Sequence, residues 1–356
     1  MADPANQPRD RSDAGVPSRD SGIAVILPNY NHGRFLSRAV EAILAQDTPP
    51  SDIIIIDDGS TDDSLAIIEQ LATRSPIIRV LQNPLNRGLI ATQRRALKIA
   101  TARFIYLAAA DDIVRPGFFS KALRMFEIYP TAGLFVGDAE LVDGVNNASL
   151  GLRPIVMPRF SPGYIEPSRI RQMLRYNDNW ILTGAALMRR DAIEMAGGLD
   201  EDLESFADGF VTRKISLTHG ICYAPGIIVT CNIFPTGVSR HIALHFDSAI
   251  RFLEKSRRRI SSDPVFPPEY AVLFGNRWRF ATSRLALQRQ PADRQILMGL
   301  GARNRWDRRI IELILTLSKG TLGQTAILLY LALRLRPYSF LSIIRTAIAR
   351  RFMQRS

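Results

Sequence analysis

The sequence predicts an α/β protein built on a mostly parallel sheet, followed by a helical C-terminal region. Between residues 23 and 225, short apolar runs rich in β-branched residues alternate with amphipathic stretches of helical period. The uninterrupted apolar runs at Ala24–Leu27 and Ile53–Ile56 indicate strands that are covered on both faces, as in parallel sheets. Strand–helix–strand alternation at these spacings predicts right-handed crossovers in an open sheet.

The predicted elements define where a ligand would bind. Five strands are predicted, at Ile23–Leu27, Ile53–Asp57, Ile77–Leu81, Phe104–Leu107 and Gly133–Val136. Helices are predicted at Phe35–Gln46, Asp63–Arg74 and Leu89–Thr101, and the Pro-, Gly- and Asn-rich stretch Gly144–Pro167 is predicted to form long loops. Ligands of open α/β sheets bind beyond the carboxyl ends of the strands. The segments expected to face a ligand are therefore Pro28–His32, Asp57–Thr61, Asn83–Gly88 and Ala109–Asp112.

Composition divides the chain into three predicted regions. Residues 1–22 lack an apolar run and are predicted to form a disordered tail rather than a signal peptide. Residues 23–240 form the predicted α/β domain, and residues 241–356 a basic helical region. Residues 251–356 contain 21 Lys and Arg but only 6 Asp and Glu. The rest of the chain contains 25 Lys and Arg and 28 Asp and Glu. The net charge of +12 therefore belongs to the C-terminal third and indicates a local contact with an anionic surface.

Paired carboxylates follow the second predicted strand, in the sequence IIIIDDGSTDDS. Asp57 and Asp58 would lie at the carboxyl edge of the sheet, and Gly59 would allow the chain to turn. One interpretation is a ligand-binding edge. The other is purely structural, with Ser60 or Thr61 capping the helix that follows.

A second acidic pair, Asp111 and Asp112, follows the strand RFIYL. Two strand ends with paired acids create an electronegative pocket, which a hard divalent cation held by carboxylate and diphosphate oxygens would neutralise. The structural alternative is an acidic helix cap ahead of Pro116.

Five segments in this order resemble the inverting family-2 glycosyltransferases, whose nucleotide-binding fold is called GT-A. The resemblance covers residues 23–239 and is carried by AVILPNYNHGRFLSRAVEAILAQ, IIIIDDGSTDDS, NPLNRGLIATQRRAL, FIYLAAADD and GAALMRRDAIEMAGGLDEDLESFADGF. It implies a GT-A α/β fold and a nucleoside-diphosphate-sugar donor, with a UDP-sugar preferred.

The resemblance also implies which residues bind that donor. The implied nucleotide-sugar-binding residues are Pro28, Asn29, Tyr30, Asp57, Asp58, Asn86, Gly88 and Asp111. Asp57 would contact the base, with Asp58 nearby, and Asn86 and Gly88 match the Asn-x-Gly turn of the family. The family's usual Ala-Arg-Asn continuation is replaced by Thr92-Gln93-Arg94, which removes one expected arginine contact.

Metal binding and catalysis are assigned through the same resemblance. The family's Asp-x-Asp motif appears as Ala109-Ala110-Asp111, so its first acid is absent and Asp111 is the candidate ligand for Mg²⁺ or Mn²⁺. The family's Glu-Asp pair appears as Ala207-Asp208, which makes Asp208 the candidate catalytic base. Phe234 stands where relatives carry a histidine, and Ser239, Arg240 and His241 follow as substitutes.

The C-terminal region mixes Leu and Ile with Arg at helical spacing. Its longest apolar run, Ala326–Leu333, is too short to span a bilayer, which favours basic amphipathic helices lying on an anionic membrane. Packing of this basic face on the α/β domain, or between copies of the chain, is the alternative. The sequence contains no nucleic-acid-binding module, and no nucleic acid partner is expected.

These observations predict an inverting glycosyltransferase with Asp208 as base. The acceptor would be a hydroxyl of a glycan or lipid-linked molecule in cell-surface polysaccharide synthesis, and the enzyme would be cytoplasmic or peripheral on the cytoplasmic membrane face. The alternative is a sugar-nucleotide-binding scaffold of the same fold with weak catalysis. A nicotinamide dehydrogenase is disfavoured because PNYNHG, and not GxGxxG, follows the first strand.

Overall fold

The computed structural model describes residues 22–235, 237–289, 291–317 and 320–353. The predicted N-terminal tail, apart from residue 22, lies outside the described residues. The described part of the chain forms one ten-stranded sheet with helices on both faces. The strands are β1 Ile23–Asn29, β2 Asp52–Asp57, β3 Ile78–Gln82, β4 Phe104–Leu107, β5 Ile113–Val114, β6 Leu134–Asp143, β7 Ser149–Arg153, β8 Gly163–Ile165, β9 Ala186–Arg189 and β10 Ile221–Ile233.

Helices connect these strands and make up the C-terminal part. They are α1 Gly33–Leu44, α2 Ser64–Arg74, α3 Leu89–Leu97, α4 Phe118–Ile128, α5 Pro167–Met173, α6 Arg190–Met195, α7 Ala207–His219, α8 Val238–Leu244, α9 Phe246–Ser262, α10 Tyr270–Leu287, α11 Arg294–Ile296, α12 Arg305–Leu317, α13 Thr321–Leu335 and α14 Phe340–Met353. Short 3₁₀ turns occupy Thr183–Ala185 and Glu201–Phe206, and a π turn occupies Leu297–Gly301.

The sheet order is β3-β2-β1-β4-β9-β6-β10-β5, with β7 beside β6 and β8 beside β10. Strands β3, β2, β1 and β4 are parallel, as predicted, and α1, α2 and α3 make the crossovers between them. Strand β9 is antiparallel to both β4 and β6, so the complete sheet is mixed. The α/β prediction is confirmed, and the parallel arrangement is limited to β1–β4 and the β6–β10 pair.

Alternate residues of the central strands enter two different cores. Ile54 and Ile56 of β2 pack in the cluster on one face of the sheet, whereas Ile53 and Ile55 pack in the cluster on the other face. All four side chains are fully buried. This two-sided burial explains the run of four isoleucines, because a strand with helices on both faces needs apolar residues at every position.

The prediction of long loops between Gly144 and Pro167 was wrong in part. Strand β7 forms a hairpin with β6, closed where the Asp143 amide donates to the carbonyl of Ala148, and β8 pairs antiparallel with β10. The pattern was hidden because β7 is largely exposed and contains a glycine, so it lacks the apolar alternation that marks a half-buried strand.

The C-terminal helices pack against the α/β region. Phe252 of α9 and Tyr270 and Phe274 of α10 share a core cluster with Phe210 of α7. A separate cluster joins α9 and α10 to α11, α12 and α13. Among the described helices, none alone is long and apolar enough to cross a bilayer. Helices α13 and α14 reach the necessary length and apolar composition only when taken together, and the pair is bent by 113°.

Candidate functional site

The ends of β1 and β2 are joined by the buried carboxylate of Asp57. Asn29 lies beside Asp57 in the strand register, and its Nδ2 donates to Asp57 Oδ1 at 3.0 Å. Ser60 donates to the same carboxylate twice, from Oγ to Oδ1 at 2.5 Å and from its amide to Oδ2 at 3.0 Å. Asp57 is fully buried. Its main structural effect is therefore to fix the turn after β2 against the end of β1.

The neighbouring Asp58 fixes a second turn. Its Oδ1 accepts from Asn83 Nδ2 at 2.7 Å and from the Arg87 amide at 2.9 Å, and its Oδ2 accepts from the Gly88 amide at 2.9 Å. Asn86 Oδ1 also accepts from the Gly88 amide, at 2.9 Å. The predicted nucleotide-binding residues Asp58, Asn86 and Gly88 are thus brought together, with Asp58 holding the turn.

The segment after β1 completes this edge of the sheet. Asn31 adopts a positive φ of 54° and accepts from the Thr61 amide at 2.7 Å, which fastens the segment to the turn after β2. The Asn31 amide donates to Ser60 Oγ at 3.0 Å. Pro28 is half-buried, and the Tyr30 ring is 44% exposed. Tyr30 is therefore an accessible aromatic surface at the rim of the predicted nucleotide site.

The prediction that Ser60 or Thr61 caps the following helix was wrong. Asp63 occupies the N-cap of α2, and it is Asp62 whose carboxylate accepts from the amide of Ser64 at 3.1 Å. Asp62 also accepts from the Gly33 amide at 3.1 Å. The hydroxyls of Ser60 and Thr61 instead donate to the side chains of Asp57 and Asn31, at 2.5 and 3.3 Å.

The second acidic pair follows β4 and divides into two different environments. Asp112 accepts from the Asn232 amide of β10 at 3.0 Å, and Asn232 Nδ2 donates to the Asp111 carbonyl. Burial, reinforced by the charge of Asp111, raises the pKa of Asp112 to about 7. Asp111 is half-buried; burial raises its pKa, and the nearby His32 imidazole acts in the opposite direction.

His32 was not assigned to the site from the sequence. It lies in the segment after β1, where ligands were expected, but its position near Asp111 depends on how that segment turns. Its ring also packs edge-on against Phe35, with centroids 5.8 Å apart. His32 thus links the start of α1 to the acidic end of β4.

The residues near Asp111 fit a metal only if the donor supplies most of the ligands. Within residues 22–235 and the described segments after them, no three His, Cys, Asp or Glu side chains gather as a metal-binding group. Ala109 and Ala110 provide no ligand oxygen in their side chains. A half-buried carboxylate beside a diphosphate is compatible with Mg²⁺ or Mn²⁺, which normally share substrate phosphates and water.

Asp208 is the second residue of α7. Its Oδ1 accepts from the Gly209 amide at 2.5 Å. Burial raises the pKa of Asp208, while the nearby Thr183 side chain, the Gly209 amide and the charge of Arg213 oppose the rise. The residue remains partly exposed. Phe206, and not Asp208, occupies the N-cap of α7, so Asp208 is not the helix cap.

Arg213 and Lys214 do not face a phosphate site. Arg213 is buried, where its Nη2 donates to the Asp178 carbonyl at 2.9 Å and its Nη1 to the Gly209 carbonyl at 2.8 Å. Lys214 Nζ lies 2.9 Å from the carboxylate of Asp263. Both cations therefore stabilise the packing of α7.

A single turn connects Asp208 with the acids after β4. Thr183 lies beside the Asp208 side chain, where it lowers the pKa of that carboxyl, and a Cβ on the next residue, Gly184, would lie 3.3 Å from Asp112 Oδ2. The Tyr106 hydroxyl of β4 donates to the Gly184 carbonyl at 3.0 Å and holds the turn in place. The Thr183–Ala185 turn therefore lies next to both Asp112 and Asp208, which are almost a hundred positions apart in the sequence.

The segment after β10 lies beside the same edge. The Phe234 ring packs on Phe35 with centroids 5.3 Å apart, and the Arg34 guanidinium lies over both rings. Phe234 therefore holds the segment after β10 against α1 by aromatic packing. The histidine that relatives carry at this position would offer a polar contact instead. His241 of α8 stacks on His245 with centroids 3.9 Å apart, and neither ring approaches a carboxylate within salt-bridge distance in the described residues.

Residues 24–195 match the family described as "Glycosyl transferase family 2". The chain carries a family 2 glycosyltransferase domain. An uncharacterized glycosyltransferase of Nostoc sp. is 33% identical over 124 residues, which is 34% of this chain and 38% of that protein. The predicted family and enzyme class are confirmed for this domain.

Two solved structures share the fold of this chain. Staphylococcus aureus TarS residues 1–349, in complex with UDP-GlcNAc, aligns with a TM-score of 0.58 and 17% identity over 78% of this chain and 80% of that chain. The Pyrobaculum calidifontis mannosyltransferase PcManGT, in complex with GDP-Man and Mn²⁺, aligns with a TM-score of 0.55 and 17% identity over 90% of this chain and 89% of that chain. The predicted GT-A fold of the family 2 domain is therefore confirmed.

Proposed function

We propose that the chain transfers a sugar from a nucleoside-diphosphate-sugar donor to a hydroxyl of a glycan or lipid-linked acceptor, with inversion at the anomeric carbon. The observation that carries this proposal is the Thr183–Ala185 turn, which joins Asp208 to the acidic end of β4. A donor phosphate group beside Asp111 would place its anomeric carbon toward Asp208. Positioning and charge neutralisation would then lower the barrier to transfer.

The donor would bind along the turns held by Asp57 and Asp58. The exposed Tyr30 ring would pack against the base, and the amide-rich turn at Asn86–Gly88 would border the ribose and phosphates. A UDP-sugar is the preferred donor because the TarS structure with UDP-GlcNAc shares this fold. The PcManGT complex with GDP-Man makes a GDP-sugar the competing choice.

Asp208 would act as the base. Its carboxylate would take the proton of the acceptor hydroxyl while that oxygen bonds to the anomeric carbon, and the bond from that carbon to the diphosphate oxygen would break on the opposite face. Burial raises the pKa of Asp208, which strengthens it as a base. Single displacement of this kind inverts the configuration.

Asp111 would hold Mg²⁺ or Mn²⁺ together with the donor diphosphate. A bound divalent ion would neutralise charge on the leaving diphosphate. Asn232 Nδ2 donates to the Asp111 carbonyl, which would fix the backbone of Asp111 beside the donor. The presence of Mn²⁺ with the donor in the PcManGT structure supports this assignment.

The basic C-terminal region supports a peripheral location on the cytoplasmic membrane face, where a lipid-linked acceptor would be available. The alternative is a sugar-nucleotide-binding scaffold with weak catalysis, and the sequence observation that favours it is the alanine at positions 109 and 207 where relatives carry acids.

A thermal-shift screen of the full chain with UDP-GlcNAc, GDP-Man and other donors, with and without Mn²⁺, tests the proposal. A donor that binds the native state raises the Tm in proportion to the logarithm of its concentration. Donor hydrolysis measured on the same samples separates enzyme from scaffold. Binding with hydrolysis supports transfer, binding without it supports the scaffold, and no Tm shift with any donor contradicts both.

A further inference from the structure

Helix α12 presents an apolar stripe to solvent. Trp306, Ile310, Leu313 and Leu317 are 57%, 38%, 57% and 75% exposed, and their spacing of four, three and four residues places them on one face. Four large apolar side chains on one helical face are more than the isolated exposed residues common on protein surfaces. This face is therefore a candidate interaction surface.

The orientation of α12 is fixed from the face beside the stripe. The buried Asp307 accepts from the Tyr330 hydroxyl of α13 at 2.5 Å and from Arg334 Nε at 2.9 Å. Ile311, one turn along, is fully buried in the C-terminal cluster. The apolar stripe stays exposed because these contacts hold a different face of the helix inward.

Helix α13 adds to the same exposed region. It packs against α12 and exposes Leu322, Leu329 and Leu333, which are 79%, 62% and 76% exposed at spacings of seven and four residues. The Asp307 contacts join the two helices into one unit. Two neighbouring helices thus carry outward apolar stripes.

Cations surround the tryptophan of this region. The guanidinium carbons of Arg305 and Arg309 lie 5.6 and 5.2 Å from the centroid of the Trp306 ring. An aromatic ring beside long cationic side chains is the arrangement found where helices rest at a membrane surface, with the ring in the interface and the cations at phosphate level.

We propose that the outward face of α12 and α13, defined by Trp306, Ile310, Leu313, Leu317, Leu322, Leu329 and Leu333, binds an anionic membrane surface. This inference rests on the proposed peripheral location and assigns it to named residues. A second copy of the chain is a poorer partner, because the region after residue 250 carries 21 Lys and Arg against 6 Asp and Glu. Two such surfaces would repel each other, whereas anionic lipid attracts both the cations and the apolar stripe.

A series of polar contacts would connect the membrane-binding helices to α7, which carries the proposed base Asp208. Arg277 of α10 donates from Nε to the Pro337 carbonyl, between α13 and α14, at 3.0 Å, and its Nη1 lies 3.2 Å from Asp178. The Asp178 carbonyl in turn accepts from Arg213 of α7, the helix that carries Asp208. Membrane docking would therefore hold Asp208 at a fixed position relative to a lipid-linked acceptor.

Co-sedimentation of the full chain with phosphatidylcholine vesicles, with and without phosphatidylglycerol, tests this proposal. Binding is expected only with phosphatidylglycerol and should fall as NaCl rises, since screening weakens attraction between Arg and the surface. Both the triple variant W306S/L313S/L317S and the double variant R305Q/R309Q should reduce the binding constant by about tenfold or more. The matched control I128S/M195S alters two apolar residues exposed elsewhere, at 58% and 60%, and should bind as the wild type does.

Tryptophan fluorescence supplies a second readout. Trp180 is 1% exposed and Trp278 is partly buried in the core, so quenching by brominated anionic lipid should report Trp306 and disappear in W306S. Wild-type failure to bind anionic vesicles, or equal binding by the control and both variants, would overturn the proposal. A different result would assign the face to a second copy of the chain. In that case the wild type and the control would form a concentration-dependent dimer, the variants would not, and none of them would bind vesicles.

Donor hydrolysis in vesicle-free solution keeps this test separate from the proposed function. The membrane variants should hydrolyse donor as the wild type does, because none of the substituted residues lies in the donor or base site. Vesicle binding by a protein that binds no donor would contradict the proposed function and leave the membrane face intact.

Discussion

The Thr183 side chain lies beside the carboxylate of Asp208 and lowers its pKa. The same turn reaches the acids after β4 through Gly184, so a shift of the turn would change the distance between base and donor. This relationship makes Thr183 a positioning residue, and its substitution should affect the titration of Asp208 as well as the rate.

Thr183→Val should move the acid limb of the kcat/KM–pH profile to higher pH. The Thr183 side chain lowers the pKa of Asp208 against the larger effect of burial, so loss of its hydroxyl raises that pKa further. Only the ionised carboxylate acts as a base, and activity is therefore lost as pH falls through the raised pKa. Thr218→Val, which removes a similar hydroxyl bonded to the Lys214 carbonyl at 3.0 Å, is the control. An unchanged acid limb in the Thr183 variant would refute this role.

Asp58→Ala should destabilise the protein and weaken nucleotide binding. It leaves Asn83 Nδ2 and the amides of Arg87 and Gly88 without their acceptor. Loss of a buried charged acceptor of this kind costs roughly 2–4 kcal/mol. Urea unfolding and calorimetric UDP titration measure the two effects. Asp63→Ala changes an exposed carboxylate at the N-cap of α2 that makes no capping hydrogen bond, and it should alter the free energy of unfolding by less than about 1 kcal/mol; equal stability of the two variants would disprove the role of Asp58.

Gly59→Ala should destabilise the turn after β2 more than Gly117→Ala destabilises the start of α4. Both glycines have positive φ, at 73° and 79°, so both variants incur about 1–2 kcal/mol of backbone strain. Only at Gly59 would the new Cβ meet backbone, with the Asn86 amide nitrogen and the Leu85 carbonyl carbon at 2.9 Å. Thermal unfolding of both proteins isolates the clash. Equal losses would mean that the segment at Leu85–Asn86 moves freely.

Asp178→Ala should lower the free energy of unfolding by about 3–5 kcal/mol, because it leaves two buried guanidiniums without their carboxylate. The Asp178 carboxylate accepts from the Tyr270 hydroxyl at 2.8 Å and lies 3.2 Å from Arg277 Nη1 and 3.9 Å from Arg213 Nη2. The control Glu269→Ala breaks an exposed pair with Arg175 and should cost less than about 1 kcal/mol. A loss of similar size in both variants would show that burial does not matter here.

The fold could be predicted where apolar residues are continuous. The bounds of β4 were predicted to the residue, and those of β1 and β2 within two, because strands covered on both faces carry the signal in local sequence. The hairpin strand β7 and the antiparallel placement of β9 were missed. Their pairing depends on neighbours that the local sequence does not contain.

The sequence predicted where the candidate residues lie in the fold better than it predicted their contacts. Asp57, Asp58 and Asp111 were expected at the carboxyl ends of strands, and they lie at or just after the ends of β2 and β4. The sequence did not reveal that Asp57 and Asp58 direct their carboxylates to Ser60 and to the turn at Arg87–Gly88, because amide donors on a loop leave no mark in residue type. Nor did it identify Thr183, which lies in a turn without a sequence motif.

Asp208→Asn gives the most direct test of the proposed mechanism. With the donor identified by thermal shift, the variant should lose about 100- to 10,000-fold in kcat, the contribution usual for a general base, while its Kd for UDP stays unchanged. Asp202→Asn, an exposed acid of the preceding 3₁₀ turn, is the matched control and should keep wild-type turnover. Wild-type turnover by Asp208→Asn would contradict the account, and another group would then have to remove the acceptor proton.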